Sequence, residues 1–139
     1  MAEATTEVEQ LVSDFIDLWD GDYSKLDVVS ESFVLRSPAL SEGEARGRET
    51  LEERIKAMYS GFPDFSMSID DMLVSEEVIM LEWTMSGTHE SEYLGVPPTD
   101  REMEVRGMSK ILIGDDKVQE DRIYFDTRAM FEQLGLTAE

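Results

Sequence analysis

FSMSIDDMLVSEEVIMLEWTMSGTH, Phe65 to His89, decides the fold, because here the side-chain period drops from 3.6 to two. Ile79, Leu81, Trp83 and Met85 share one parity, as on a strand that buries one face. The same pattern predicts strands over Phe65 to Val74, Val78 to His89, Glu102 to Ile113 and Val118 to Asp126, divided by SEE, a long loop and GDDK. SEE and GDDK are short enough for hairpins, so the four strands should form an antiparallel meander. Upstream the text is helical. Thr6 and Glu9 make a capping-box pattern, Val8, Leu11, Val12, Phe15, Leu18 and Trp19 follow at helical spacing, and Gly21 ends the helix. Tyr23 to Ser30 predicts a short second helix, and Phe33 to Ser37 a short strand stopped by Pro38. A polar loop, SEGEARG, precedes a third helix from Arg48 to Ser60, with Leu51, Ile55, Met58 and Tyr59 on one face and Gly61 and Pro63 beyond it. Thr127 is placed to cap a last short helix, Met130 to Leu134, closed by Gly135. Helices followed by a run of strands give an α+β fold, and no linker divides residues 1–139, so one domain is expected.

Composition removes several function classes. The 139 residues contain 32 Asp and Glu against 12 Lys and Arg, a formal charge of −20. Nucleic acids and anionic membranes are recognised by basic faces that displace counterions, so neither is an expected partner. With no cysteine and one histidine, thiol nucleophiles, Cys-ligated metals and histidine clusters are ruled out. Glu90 and Glu92 beside His89 complete no zinc spacing, and neither metal nor cofactor is predicted. The longest apolar run, about Val78 to Leu81, falls far short of the ~20 residues that span a bilayer. The opening MAEATTEVEQ has no basic n-region or apolar h-region, which predicts a soluble, cytoplasmic protein. A charge of this size destabilises a compact state in dilute salt, whereas at ~1 M ionic strength the Debye length is about 3 Å. The lysines are only Lys25, Lys56, Lys110 and Lys117. Together these features predict a salt-accumulating, halophilic source.

The strand Val78 to His89 carries apolar residues of both parities, Ile79 to Met85 on one face and Val78 and Met80 on the other. A sheet apolar on both faces needs a second cover, and a homodimer packed through the sheet is expected.

Chemistry is expected near the long loop, EYLGVPPTD, which can rim or lid a cavity and whose Val96-Pro97-Pro98 stiffens it. His89 enters this loop on the same parity as Trp83 and Met85, and is either a satisfied structural histidine or a ligand contact. In the last strand, Glu120, Arg122, Tyr124 and Asp126 share one face, and Asp121, Ile123 and Phe125 the other. The first set is expected to face the helices. Asp126 is then either part of an ion pair involving Arg122 and Glu120, or a general base with its pKa raised by apolar walls that include Trp19 and Trp83. Trp19 reads as core or as pocket wall. Arg122, close along the strand, would lower the carboxylate's pKa if it reached it.

The stretch Gly87 to Gly135, with its Gly-Thr-His, Gly-x-Pro-Pro-Thr, central Arg-Gly-Met, Lys-Val-x-Glu, strand-end Asp and terminal Leu-Gly, resembles the C-terminal half of SnoaL-like polyketide cyclases. The N-terminal half agrees more loosely, through DLWDGD and GRETLEERIKAMYSGFPDF. The resemblance implies a cone-shaped α+β barrel of the nuclear transport factor-like kind, in which N-terminal helices pack in a curved antiparallel sheet around a pocket. It also implies cofactor-independent ring closure by intramolecular aldol chemistry on a small apolar carbonyl compound, with Asp126 matching the family's aspartate and His89 near a substrate carbonyl. Asp100 stands where the family's glycine usually follows Pro-Pro-Thr, and Asp tolerates a positive φ better than most residues. Two alternatives remain open. One is a noncatalytic small-molecule binder. The other is an isomerase of the ketosteroid type, whose enolate would be held by Tyr124, His89 or Tyr59.

Overall fold

The computed structural model describes residues 6–40, 42–93 and 95–136. Its order is α1 (Thr6–Trp19), a 3₁₀ turn (Tyr23–Val28), β1 (Val29–Arg36), β2 (Glu44–Arg46), α2 (Arg48–Gly61), β3 (Ser66–Val74), β4 (Val78–Thr88), β5 (Glu102–Gly114), β6 (Lys117–Phe125) and α3 (Thr127–Gln133). The side chain of Thr6, expected to cap α1, lies outside the described residues. Val12, Phe15 and Leu18 form the fully buried stripe of α1, and Gly21, at φ 101°, turns the chain out of it. Leu51 and Ile55 do the same for α2, which ends where the Phe62 N–H reaches the Met58 carbonyl. None of the described helices is long and apolar enough to cross a membrane.

The six strands form one open sheet in the order β2-β1-β6-β5-β4-β3. The meander β3-β4-β5-β6 is antiparallel throughout, and β4 pairs with β5 without interruption from Val78 opposite Leu112 to Thr88 opposite Glu102. Two features depart from the sequence reading. SEGEARG contains a strand, β2, whose Glu44, Ala45 and Arg46 face Arg36, Leu35 and Val34 of β1. β1 in turn starts earlier than Phe33 and lies parallel to β6, Leu35 beside Asp121 and Arg36 beside Arg122. Parallel neighbours this distant in sequence leave no short-range signature.

Alternate residues of β4, Ile79, Leu81, Trp83 and Met85, are buried under the helices. The outer parity carries Met80, Glu82, Thr84 and Ser86, polar over much of its length, with exposed apolar side chains at Leu73, Met108 and Tyr124 nearby. β6 holds a correction. Val118 is fully buried, and simple alternation from it would turn Glu120, Arg122 and Tyr124 inward. Between Ile113 opposite Val118 and Leu112 opposite Glu120 the register shifts by one residue, so Asp121 becomes the next inward side chain. A one-residue shift reverses the facing of everything beyond it.

Candidate active site

Helices α1 and α2, the turn after β1 and the concave face of the sheet enclose a cavity of about 90 Å³. Its sheet wall is apolar, with Leu81, Trp83, Met85 and Ile111 among its side chains, and the helices add Phe15, Ile16, Trp19 and Met58. Polar groups are few: Ser37, Arg54, Tyr93, Ser109 and Asp121.

Asp121 is the chemically distinctive one. It is 2% exposed, and burial pushes its carboxyl up to about 7, partly offset by a hydrogen bond from the Ser109 hydroxyl. The Trp83 indole N–H donates to the Ser109 oxygen over 2.9 Å, which leaves that hydroxyl's own proton for the carboxylate. Oδ1 of Asp121 has no hydrogen-bond partner. An orphaned carboxyl oxygen inside a protein is costly. Asp121 lines the hollow, where a ligand can supply the missing partner. Trp83 can lie over the sheet because Gly107 is opposite it: a Cβ at 107 would sit 2.4 Å from the indole. With a pKa near neutrality, Asp121 can take a proton from carbon and return one to oxygen at the same pH.

The residues read from the sequence are divided by the structure. Trp19 and Trp83 line the cavity. Tyr59 stands behind it, donating to the Trp19 carbonyl over 3.1 Å with its ring edge-on to Phe65. His89 is buried but stacks on Phe62, centroids 5.2 Å apart, and its Nδ1 is 3.1 Å from the Thr99 hydroxyl. Its backbone N–H reaches the Arg101 carbonyl and its carbonyl accepts from Asp100, so His89 pins the base of the long loop. Asp100 takes φ 57°, the conformation anticipated for a glycine substitute. That loop reaches the cavity through Tyr93, which packs so closely on Gly61 that a Cβ added there would meet the Tyr93 Cβ at 2.7 Å.

Asp126, Arg122 and Tyr124 are not in the cavity. Asp126 is exposed and caps α3, its Oδ1 accepting from the Ala129 N–H at 3.1 Å, a role the sequence reading gave to Thr127. Arg122 shares Glu120 with Arg36 on the outer face of the sheet, and Tyr124 is 59% exposed there. The expected facing is therefore inverted, for the register reason given above. Arg54, Tyr93, Ser109 and Asp121 were missed. The overlooked signal for Asp121 was the company it keeps, since Ile123 and Phe125 mark its parity as the apolar one.

The SnoaL-like polyketide cyclase profile matches residues 6–134. TsrD from Streptomyces laurentii superposes with a TM-score of 0.80 at 26% identity, covering 94% of this chain and 96% of that one. A candidate SnoaL-like polyketide cyclase from Jannaschia sp. CCS1 gives 0.82 at 17% identity over 99% and 100%, which speaks to the fold alone. An epoxide hydrolase of the LEH-like type from M. tuberculosis gives 0.70 at 19% over 94% and 90%, so the same cone also frames different chemistry. No curated protein matches. With the profile spanning nearly the whole chain and the helices lodged in the hollow of a curved sheet, the chain belongs to the SnoaL-like polyketide cyclase family.

Proposed function

We propose that the chain is a cyclase-type enzyme in which Asp121 performs general acid-base catalysis on a small, apolar carbonyl compound. The observation that carries this reading is a buried carboxyl, shifted to about 7 and with an unpartnered oxygen, lining a largely apolar cavity. In an aldol closure the carboxylate removes a proton alpha to one carbonyl. The resulting enolate carbon bonds to a second carbonyl carbon, and the alkoxide formed takes the proton back from the carboxylic acid. Proton transfers alone balance this reaction, so it calls for neither cofactor nor metal. Apolar walls keep water from the enolate and hold both reacting carbons close, the main source of rate in an intramolecular reaction.

The test is hydrogen-deuterium exchange at the alpha carbon of an apolar ketone such as 2-tetralone, followed by NMR. D121N is expected to lose at least about 100-fold in exchange rate while binding the ketone with unchanged affinity. Exchange by D121N at the wild-type rate would overturn the assignment. Binding without exchange in the wild type would favour the noncatalytic binder. The isomerase reading would need a donor in the cavity besides Asp121; Tyr93 lines it, whereas Tyr124 lies outside.

We further propose that the protein works as a cytoplasmic, halophilic homodimer, the sheet faces joining through Leu73, Met108 and Tyr124. Their exposures of 67%, 44% and 59% support this.

A further inference from the structure

We propose that Arg54 is the recognition group for a carboxylate on the substrate, so that the cavity selects apolar carbonyl acids over their neutral esters. This deepens the proposed function and rests on the same cavity.

The inference starts from an imbalance of charge. In a chain with 32 acidic and 12 basic residues, carboxylates are in ample supply for every cation. Lys25, Lys56, Arg36, Arg46, Arg48, Arg122 and Arg128 each hold one. Arg54 holds none among the described residues, although it is half-buried and lines the cavity. Its isolation is built into α2. The side chains that can meet it on the helix, at i ± 3 and i ± 4, are Thr50, Leu51, Ala57 and Met58, none of them acidic. Two residues on, Lys56 has Glu52 at i − 4 and pairs with it at 2.8 Å. The other cations without a carboxylate among the described residues, Arg101, Arg106, Lys110 and Lys117, do not line the cavity, and Lys117 is held by the Asp27 carbonyl.

Asp121 does not serve as the partner. Its titration is set by burial and Ser109, with no contribution from Arg54, whereas the Tyr93 phenol does feel the Arg54 charge. The cavity thus has two separate polar stations, a near-neutral acid and a guanidinium beside a tyrosine. A guanidinium presents its donors in a planar fork that fits a carboxylate with two hydrogen bonds. Its stem can pack along apolar walls while the charged head stays hydrated until an anion arrives. One guanidinium balances one charge. A phosphate dianion would leave uncompensated charge in a molecule already at −20, which favours the carboxylate. A keto acid held at Arg54 would place its carbonyl end toward Asp121.

The experiment compares 2-naphthoate with methyl 2-naphthoate by isothermal calorimetry in molar KCl at pH 5.5, where Asp121 is neutral. Arg54→Gln is expected to weaken naphthoate binding by roughly 10-fold or more while changing ester binding less than about twofold. Arg54→Lys, which keeps the charge and loses the fork, should fall between, and supports the proposal even if the glutamine variant folds poorly. Equal losses for acid and ester, no loss for the acid, or no binding of the acid by the wild type would each overturn it. Tighter binding of 2-naphthyl phosphate than of naphthoate would overturn the choice of carboxylate. Failure of the catalytic reading registers elsewhere, in the exchange rate of D121N, and leaves the acid-to-ester comparison intact.

Discussion

At the scale of single residues, the chemistry proposed for Asp121 is tied to stability. Its carboxyl has a folded-state pKa of about 7 against 3.8 for the ordinary group, so the folded chain binds the extra proton between these values. Stability from this site is complete below about pH 4, declines as pH rises, and is lost above about pH 7. The full difference is at most roughly 4 kcal/mol, at about 1.4 kcal/mol per pH unit. Denaturant melts of wild type and D121N from pH 4 to 8 should therefore diverge with rising pH, the asparagine variant becoming relatively more stable. Parallel profiles would mean the carboxyl is not desolvated. Asp126→Ala gives the contrasting outcome: loss of the α3 cap, about 1 kcal/mol of stability, and unchanged alpha-proton exchange. The two acids are five residues apart, and the sequence reading chose the strand-end one for the face it was expected to share with Glu120, Arg122 and Tyr124, and then for its match to a family pattern. What it lacked was knowledge of which parity faced inward. Arg54 was overlooked for another reason: the absence of acids at i ± 3 and i ± 4 on α2 is legible, but that the side chain lines the cavity is not.

Between elements, the alignment of β4, β5 and β6 carries the site. Trp83 opposes Gly107, Gly107 opposes Phe125, and the Trp83 indole reaches back to Ser109. Gly107→Ala would place a methyl 2.4 Å from the indole and 2.8 Å from the Tyr124 carbonyl, and the backbone atom cannot swing aside. The expected result is a loss of about 1–3 kcal/mol and displacement of the indole from Ser109, read as a change in tryptophan fluorescence. Unchanged emission would mean the sheet relaxes without moving the ring. The helices and the four long strands were legible because each keeps one hydrophobic period over many residues. A three-residue strand such as Glu44–Arg46, or a bulge that inserts a single residue into β6, changes no period long enough to detect.

Over the whole molecule, charge sets the working conditions. A −20 chain should melt at lower temperature in dilute buffer than in molar KCl, because screening at ~1 M shortens carboxylate repulsion to about 3 Å. Equal melting temperatures would remove the halophilic reading. Light scattering of Leu73→Glu/Tyr124→Glu, expected to give half the wild-type mass, tests the sheet-face dimer. Pairing of β1 with β6 has a further consequence for assembly. The Arg36 guanidinium and the Glu120 carboxylate that meet there are 84 residues apart. As the ribosome releases the chain, β1 must wait for nearly all later segments before its parallel neighbour exists. The Asp121 carboxyl arrives on that same late strand, next to Leu35. Closure of the hollow and completion of the sheet are thus one event, with the high contact order of slow folders. A nascent chain halted before Lys117 would lack the side of the hollow that Asp121, Ile123 and Phe125 supply.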